Sequence, residues 1–550
     1  MTSPPHEGHP HPIGSRDGHP GSSRDRVDGT FTLSSGLPEG GRDVGRSSRA
    51  GRREAPGWLA TVGVADGRGG DAPWAEVSAC VAGIGLSGFA AADTLCRLGA
   101  QVTVIDRRDG DVERQKGKLL ELLGAQVLLG EQAAERPPAG TQLVVTSPGW
   151  RPDAPLLAAA TAGGIPLWGE VELAWRLRGP AAAPWLVVTG TNGKTTTTRM
   201  LASMLGAAGV RAIAAGNIGT PLLEVVPGAA DGAPTGKPVY DALAVELSSY
   251  QLHWSASVRA RAAAVLNLAP DHLDWHGSVE DYYAAKGGAY RGCEVAGIYN
   301  VADPATERLL REAEVADGCR AIGFTLGQPD VGMVGVVDGV LVDRAFTPPG
   351  RTAAAQLAAV ADVTPYAPHN VANALAAAAL ARAYGVEPKA VRAGLHGFRP
   401  EPHRIATIGE IGGVTYVDDS KATNAHAAAA SLSAYDHVVW IAGGLAKGAR
   451  FDDLVVGAAG RLRGAVLLGA DRALIREALA RHAPDVPVAE VESADTEVMD
   501  HVVGAAQRLA QPGDTVLLAP ACASWDMFAS YGERGDKFAA AVRRLTAGGA

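Results

Sequence analysis

Short apolar runs alternate with amphipathic stretches along most of this chain. The run over residues 185–188 is continuously apolar, a glycine-containing segment follows it, and residues 199–207 then carry apolar side chains at helical spacing. A strand buried on both faces gives a continuous apolar run, whereas a helix packed on a sheet gives a spacing of three and four residues. Because this alternation recurs up to the C-terminal region, the chain is predicted to be an α/β protein.

The alternation is absent from the first part of the chain. Residues 1–72 are rich in Gly, Ser, Pro, Arg and His and have no sustained periodicity, so a disordered extension is predicted there. The length of 550 residues allows about three domains. The positions of the strand and loop motifs predict these domains over residues 73–182, 183–401 and 402–550.

Composition narrows the class of protein. A formal net charge of −9 argues against a general nucleic-acid binder. The five cysteines are odd in number and form no CxxC pair, which favours a reduced, cytoplasmic protein. No apolar stretch reaches the length of a membrane span, and residues 1–20 lack the hydrophobic core of a secretory signal. We therefore expect a protein that stays inside the cell without membrane insertion.

The second predicted domain begins with the residues of a phosphate-binding loop. Gly190 and Gly193 permit a backbone whose N–H groups converge, the following helix presents its N-terminus there, and Lys194 adds a cation. Thr195 supplies a hydroxyl where a phosphate-bound magnesium ion needs an oxygen ligand. The strict P-loop pattern fails because Val188 stands where it requires glycine, so an ordinary glycine-rich turn is the alternative.

A second glycine-rich turn lies nearer the N-terminus. Gly83, Gly85 and Gly88 form a GxGxxG pattern between a strand and a helix, and Asp106 ends the next strand. This arrangement is the dinucleotide-binding fingerprint, so an NAD-dependent oxidoreductase is one hypothesis. Two arginines directly follow Asp106, which suits a phosphate-bearing ligand other than NAD.

Further polar residues follow buried strands in the second predicted domain. Glu246 ends an apolar strand, where a carboxylate suits a magnesium ion, and His272 lies in an acidic loop after the next strand. Lys286 lies on a short predicted helix, and its spacing alone indicates a solvent-exposed residue. Asn370 and Asn373 are three residues apart, so a helix places both amides on one face.

Several of these motifs resemble those of the Mur ligases. The loop 190–195 is similar to that of the Mur ligases and of the related folylpolyglutamate synthetases, but the latter lack a domain before it. The segments 245–252, 419–424 and 519–526 resemble the D-glutamate-adding members, and the arginine-containing motif of the diaminopimelate- and lysine-adding members is not found. The resemblance covers about residues 76–545.

The resemblance implies an N-terminal Rossmann-like UDP-binding domain, a central P-loop-type ATPase α/β domain and a C-terminal Rossmann-like domain. It also implies ATP-dependent ligation of D-glutamate to UDP-N-acetylmuramoyl-L-alanine through an acyl phosphate, a step of peptidoglycan precursor synthesis. The expected partners are these small molecules, with two magnesium ions as cofactors and no nucleic acid, and the expected state is a monomer. A Mur ligase that adds another amino acid and an NAD-dependent oxidoreductase are the alternatives.

The same resemblance assigns site residues, motif by motif. The implied UDP-substrate site consists of Leu86, Ser87, Asp106, Arg107, Ser147, Gly149 and Asn217. The implied ATP site consists of Gly190, Thr191, Asn192, Gly193, Lys194, Thr195, Thr196, Asn370, Asn373, Arg404 and Asp419. The implied D-glutamate site consists of Thr423, Lys447, Ser524 and Tyr531. The implied catalytic residues are Lys194, Glu246, His272 and Lys286. The implied metal ligands are Thr195, Glu246, His272 and a Lys286 carbamylated by carbon dioxide.

Overall fold

The fold consists of three α/β units that follow one another along the chain, each built around one sheet. The computed structural model describes residues 74–179, 182–226, 239–347, 354–492 and 497–548. The predicted α/β class with three domains is confirmed, and the extension predicted over residues 1–72 lies outside the described residues. None of the helices within the described ranges is long and apolar enough to cross a bilayer.

The first unit is a parallel sheet flanked by helices. Its strands are β1 (Ser78–Ala82), β2 (Gln101–Asp106), β3 (Gln126–Leu129), β4 (Leu143–Thr146) and β5 (Leu167–Gly169). Its helices are α1 (Leu86–Arg97), α2 (Asp111–Leu122), α3 (Pro155–Ala162) and α4 (Glu170–Leu177). The strand order is β3-β2-β1-β4-β5, so the strand that leads into the GxGxxG turn lies at the centre.

The second unit contains the largest sheet. Its strands are β6 (Trp185–Thr189), β7 (Ala212–Gly216), β8 (Ala242–Glu246), β9 (Ala262–Val265), β10 (Ala296–Asn300), β11 (Arg320–Phe324), β12 (Met333–Val337), β13 (Val340–Asp343) and β14 (Ala355–Ala359). Its helices are α5 (Lys194–Ala207), α6 (Leu222–Val225), α7 (Ser249–His253), α8 (Leu273–His276), α9 (Val279–Gly287), α10 (Pro304–Glu312), α11 (Pro368–Tyr384) and α12 (Pro388–Gly397). In the order β14-β13-β12-β11-β10-β9-β6-β8-β7, only the pairs β12–β13 and β13–β14 are antiparallel.

The third unit is a six-stranded sheet with one antiparallel edge strand. Its strands are β15 (Ala406–Ile411), β16 (Val414–Asp418), β17 (Val438–Gly443), β18 (Leu462–Leu468), β19 (Val488–Glu490) and β20 (Thr515–Leu518). Its helices are α13 (Ala425–Leu432), α14 (Asp452–Ala458), α15 (Arg472–His482), α16 (Val498–Leu509) and α17 (Tyr531–Gly548). The order is β15-β16-β20-β17-β18-β19, in which only β15 pairs antiparallel.

Strand β6 explains the continuous apolar run that precedes the phosphate loop. Trp185 and Val187 belong to a core on one face of the sheet, whereas Leu186 and Val188 belong to the core on the other face. Because helices cover both faces, all four residues from 185 to 188 are apolar. The strand therefore delivers its loop to the carboxyl edge of the sheet from a fixed, central position, which is where α/β folds bind ligands.

Hydrogen bonds to two buried carboxylates join the first unit to the second. The Glu170 carboxylate accepts a hydrogen bond from the Leu223 N–H at 2.9 Å. Glu172 accepts from the Ser257 N–H at 2.9 Å and also pairs with Arg176 of its own helix. These contacts hold helix α4 of the first unit against the second unit.

Candidate active site

The phosphate loop connects the central strand β6 to helix α5. Gly190 and Gly193 have φ values of +151° and +82°, in the region that favours glycine. A Cβ atom on Gly193 would lie 2.3 Å from Oδ1 of Asn373, so a larger residue would displace that side chain. The Asn192 N–H donates to Oδ1 of Asn267 at 2.9 Å, which ties the loop to the segment after β9. The loop thus has the fixed shape that an anion site at a helix N-terminus requires.

Lys194 is the first residue of α5 and folds back over its own loop. Its Nζ atom donates to the carbonyl oxygens of Gly190 at 3.0 Å and Thr191 at 2.9 Å. Burial lowers the pKa of Lys194, and the positive charges of Arg404 and Lys421 act in the same direction. Two cations of the third unit therefore lie close to the lysine of the phosphate loop, which suits a ligand with several negative charges.

Lys286 lies on α9 and is 2% exposed, so the solvent-exposed position indicated by spacing alone is wrong. Its Nζ atom donates at 2.7 Å to the Gly190 carbonyl, which also accepts from Lys194. Burial first, and then the charge of Lys194, lower the pKa of Lys286 well below its ordinary value. The amine is thereby favoured in its neutral form, which is the nucleophilic form.

Glu246 ends β8, directly beside β6, and is almost fully buried. Its Oε1 atom accepts a hydrogen bond from Nδ2 of Asn217 at 3.0 Å, but its Oε2 atom has no partner among the described residues. A buried carboxylate oxygen without a donor is costly unless a cation binds it. Thr195 lies in the first turn of α5, directly after the phosphate loop. Its hydroxyl is an oxygen ligand of a second kind, besides the carboxylate of Glu246. This donor set fits a magnesium ion.

His272 occupies the loop between β9 and α8, where its φ of +54° is left-handed. Its ring lies 4.9 Å from that of Tyr250, and its Nε2 atom lies 3.6 Å from the Asp271 carboxylate. Burial lowers the pKa of His272 despite Asp271, with help from the charges of Lys286 and Lys447. At neutral pH the imidazole is therefore neutral and has a lone pair available for a metal ion.

A cavity of about 440 Å³ lies beside the phosphate loop, between the second and third units. The Asn192 amide contacts Nδ1 of His426 at 2.9 Å and Oδ1 of Asn424 at 3.5 Å, so both units meet at this loop. The volume is within the range of small-ligand sites. The cavity is lined by these predicted ATP-site residues: Asn192, Gly193, Thr196, Asn370, Asn373, Arg404 and Asp419.

The two asparagines of α11 lie on one face, as predicted. Both are buried, and Nδ2 of Asn373 donates to Oδ1 of Asn370 at 3.2 Å, while Nδ2 of Asn370 donates to the Pro365 carbonyl at 3.0 Å. Ala367, the residue before this helix, is extended and unstrained. The pair is thus fixed at the cavity wall, and its role in adenine binding stays a prediction.

Asp419 anchors the entry of the chain into the third unit. Its carboxylate accepts from the Ile405 N–H at 3.3 Å and from the Ser431 hydroxyl. Burial raises the pKa of Asp419 to about 6. Arg404 pairs with Glu401 at 3.3 Å and lines the same cavity. These contacts fix the segment that presents Arg404 to the phosphate loop.

The predicted UDP-substrate residues of the first unit collect at the carboxyl edge of its sheet. Leu86 is 57% exposed at the start of α1, and the guanidinium of Arg107 lies 5.3 Å from the Trp150 ring centre. The Ser147 hydroxyl is buried without a hydrogen-bond partner among the described residues, as a group that meets a ligand would be. Ser87 follows Leu86 in the first turn of α1, and Gly149 lies in the loop after β4.

Asp106 and Asn217 differ from the other predicted UDP-substrate residues, because the side chains of both already bond to other groups of the protein. The Asp106 carboxylate already accepts from the Ile84 N–H and the Arg108 N–H, each at 2.9 Å. Asn217 lies in the second unit, where it is the partner of Glu246. Contacts of both residues with the UDP-substrate stay predictions.

The predicted D-glutamate residues lie on separate segments of the third unit. Lys447 has a left-handed φ of +52°, and its Nζ atom lies 4.0 Å from the Trp525 ring centre, next to the buried Ser524. Thr423 lies on another loop and Tyr531 is the first residue of α17, and no hydrogen bond joins them to Lys447 in the described ranges. The structure therefore brings all four to one unit without gathering them into one contact.

The structure adds polar residues to which the sequence assigned no role. Asn267 holds the phosphate loop through the Asn192 N–H, and Lys421 lies 3.8 Å from the Tyr531 ring centre and lines the cavity. His426 also lines the cavity. A signal existed for Lys421, because the chain contains only nine lysines and most of its cations are arginine.

Three domain models of the Mur ligases match the chain. The Mur ligase MurD-like N-terminal domain matches residues 77–169, the Mur ligase middle domain matches residues 188–381, and the Mur ligase glutamate ligase domain matches residues 403–522. Each match covers most of one of the three sheets described above.

Curated relatives match over nearly their full length. The UDP-N-acetylmuramoylalanine–D-glutamate ligase of Streptomyces avermitilis is 62% identical over 476 residues, which are 86% of this chain and 99% of that protein. The protein of the same name from Thermobifida fusca is 60% identical over 466 residues, or 85% of this chain and 98% of that protein.

Solved structures agree in fold. MurF from Acinetobacter baumannii aligns with a TM-score of 0.51 at 19% identity, over 80% of this chain and 90% of that one. The UDP-N-acetylmuramate-alanine ligase MurC from Thermotoga maritima aligns with a TM-score of 0.50 at 17% identity, over 86% of this chain and 100% of that one. With its three matched domains and its 62% identical relative, the chain belongs to the Mur ligase family.

Proposed function

We propose that this protein joins D-glutamate to the alanyl carboxylate of UDP-N-acetylmuramoyl-L-alanine while ATP is cleaved to ADP and phosphate. The relatives at 60% identity and above named in the comparison carry the name of this reaction. The observation that supports it most is that four basic side chains from two units converge on one phosphate loop, where one oxygen of a buried carboxylate has no hydrogen-bond partner among the described residues. These basic residues are Lys194, Lys286, Arg404 and Lys421.

The first half of the reaction activates the alanyl carboxylate, because an amine does not displace a carboxylate oxygen at useful rates. A carboxylate oxygen attacks the γ-phosphorus of ATP, and the bond from that phosphorus to the bridging oxygen breaks. ADP is released, and the alanyl group is left as an acyl phosphate. Lys194 and the N–H groups of its loop hold the phosphates in line, and Arg404 adds charge from the third unit. Asn370 and Asn373 would orient the adenine at the cavity wall.

The residues around the phosphate loop fit two magnesium ions. Glu246 and Thr195 would hold one ion. His272 and Lys286 would hold the other, which would assist the alanyl carboxylate. When bound, magnesium neutralises the charge that develops on the phosphate oxygens. The free Oε2 atom of Glu246 and the neutral imidazole of His272 are the donors that such sites use.

Lys286 would serve as a carbamate. Its neutral amine attacks the carbon of carbon dioxide, an N–C bond forms, one C–O π pair moves onto oxygen, and a proton leaves to solvent. A basic side chain at this position thus becomes an anion. Burial of Lys286 and the nearby charge of Lys194 favour the neutral amine that this step needs.

The second half of the reaction takes place on the third unit. Lys447, Thr423 and Ser524, with the backbone near Tyr531, would bind the carboxylates of D-glutamate. The neutral amine attacks the acyl carbon, and the bond from that carbon to the phosphate oxygen breaks. Phosphate leaves, the nitrogen loses a proton to solvent, and an amide remains. Lys447 supplies the charge that holds the acceptor in place.

Release of ADP by the purified protein tests this proposal. ATP, magnesium and UDP-N-acetylmuramoyl-L-alanine are supplied, and candidate amino acids are added one at a time. Release that depends on D-glutamate and not on L-glutamate is the expected result. Release with a different amino acid would keep the ligase class but overturn the D-glutamate assignment, and reduction of NAD in place of ADP release would overturn the class.

We also propose that the enzyme acts in the cytoplasm as a monomer. Its five cysteines are free thiols, four of them buried, which suits a reducing compartment. Light scattering during size-exclusion chromatography should give about the mass of one 56.3 kDa chain. A mass of twice that value at micromolar concentration would overturn the monomer.

A further inference from the structure

Trp525 is an exposed indole on the third unit. It is 67% exposed, whereas the preceding residue, Ser524, is buried. A side chain of this size contributes little to the core when most of its apolar area stays in water. The loop is therefore packed against the protein while it presents the indole outwards.

The indole face contacts Lys447. The Nζ atom lies 4.0 Å from the ring centre, within the range in which the ring quadrupole attracts a cation. Among the described residues, the Lys447 amine forms no ion pair. Its backbone is left-handed, which is uncommon for a residue with a long side chain and is typical of positions under functional constraint. The ring is thus the contact that orients this amine.

Backbone hydrogen bonds hold the two loops together. Leu445 and Ala523 exchange N–H to carbonyl bonds of 2.9 and 3.0 Å. The Ala446 N–H donates to Asp471 at 2.8 Å, which pins the Lys447 loop to the start of α15. A Cβ atom on Gly444 would lie 2.2 Å from the Ala523 carbonyl, so the close approach depends on glycine. Relative movement of Trp525 and Lys447 is therefore confined largely to their side chains.

The loop of Lys447 lies at the edge of the third unit that meets the phosphate loop. It follows β17, and the parallel strands β20 and β16 end at the same edge. Asn424, in the loop after β16, contacts Asn192 of the phosphate loop at 3.5 Å. A cation in that position suits a carboxylate on the incoming amino acid.

We propose that Trp525 is a positioning residue for the acceptor amino acid, because its indole holds the Lys447 amine in the orientation in which it pairs with an acceptor carboxylate. The inference rests on the proposed function and deepens it. It assigns the selection of an acidic acceptor to a lysine and an aromatic ring acting together, not to the lysine alone.

Steady-state kinetics of Trp525→Leu, Trp525→Phe and Lys447→Met test the proposal. Trp525→Leu should raise KM for D-glutamate about 5- to 20-fold, and Trp525→Phe less, because a phenyl face attracts a cation more weakly than an indole. KM for ATP and for the UDP-substrate should change by less than about twofold. Val456→Ala, which removes another exposed apolar side chain of the third unit, should match the wild type.

The double variant Trp525→Leu/Lys447→Met separates positioning from a general structural role. If Trp525 acts through Lys447, the double variant has the same KM for D-glutamate as Lys447→Met alone. Additive increases, or an unchanged KM in Trp525→Leu, would overturn the proposal. A lower melting temperature with unchanged KM would show a structural role only and would overturn it as well.

Failure of the proposed function gives a different result. If the wild type uses another amino acid, the same KM comparison with that amino acid tests Trp525 independently, and a neutral acceptor would overturn the inference. A readout without turnover is the ring-current shift of the Lys447 side-chain resonances, which Trp525→Leu should abolish. Identical shifts in both proteins would show that the contact does not form.

Discussion

The two glycine-rich turns of this protein have the same construction but use their neighbouring carboxylates differently. In the first unit, β1 leads through the GxGxxG turn into α1, and the adjacent strand β2 ends at Asp106. In the second, β6 leads through the phosphate loop into α5, and the adjacent strand β8 ends at Glu246. Each carboxylate therefore lies at the carboxyl edge of a parallel sheet, beside a helix N-terminus.

The partners of the two carboxylates differ. Burial acts to raise the pKa of Asp106, but hydrogen bonds from Arg108 and Ile84 outweigh it and lower that pKa. Glu246 has one oxygen bonded to Asn217, and its other oxygen has no partner among the described residues. The first turn thus satisfies its carboxylate with the protein's own donors, whereas the second leaves one carboxylate oxygen near several basic side chains. The proposed metal ion would bind at this second carboxylate and not at the first.

The largest effect should come from Lys286→Ala. The variant removes the anion proposed for the second metal site, so kcat should fall about 1,000-fold or more. Formate or acetate should restore part of the activity, because a small carboxylate can supply the missing oxygen ligand. The rate of ADP release at increasing formate concentration measures this recovery. Full activity of the variant without formate would overturn the carbamate on Lys286.

Glu246→Gln should have the next largest effect. The amide keeps the bond with Asn217 but loses the charge, so the concentration of magnesium needed for half-maximal activity should rise about 100-fold. Stability should change little or increase, because the buried charge disappears. Titration of ADP release with magnesium measures the shift. An unchanged magnesium dependence would show that Glu246, like Asp106, is not a magnesium ligand. The proposed difference between the two turns would then be wrong.

Sequence patterns predicted the framework of both turns, because strand burial and glycine conformation are local properties. Gly190 and Gly193 have the backbone that their loop needs, and Asn370 and Asn373 share a face as helical spacing requires. The burial of Lys286 was not predictable from spacing, because it depends on how α9 packs against the phosphate loop. The approach of Lys421 to Lys194 depends on how the second and third units meet, so spacing does not show it, and Arg404 was assigned to the ATP site through the family resemblance alone.

Lys447→Ala should have a smaller and more selective effect. Loss of a charge-assisted contact should raise KM for D-glutamate about 10- to 100-fold and leave KM for ATP nearly unchanged, because Lys447 does not line the nucleotide cavity. Initial rates with each substrate varied in turn measure both constants. A raised KM for ATP with an unchanged KM for D-glutamate would show that Lys447 acts on ATP and not on the acceptor. Lys447 would then belong with the basic residues around the phosphate loop.

Asp106→Asn should have the smallest effect on turnover and should act on stability instead. The amide cannot accept from both Ile84 and Arg108 as a charged acceptor does, so the free energy of unfolding at pH 7 should fall by about 1–3 kcal/mol. The folded-state pKa of Asp106 is lowered, so its contribution to stability is present above the unfolded-state pKa and is lost as the pH falls through the folded-state pKa. The stabilities of the wild type and the variant, measured by urea unfolding, should therefore converge as the pH falls below the lowered folded-state pKa of Asp106. Because Asp106 is bonded to groups of its own unit and lies outside the proposed metal sites, kcat should stay within about threefold of the wild type. A loss of kcat comparable to that of Glu246→Gln, with unchanged stability, would contradict this prediction. It would mean that Asp106 also acts in the reaction, and that the different hydrogen bonds of the two carboxylates do not determine their roles.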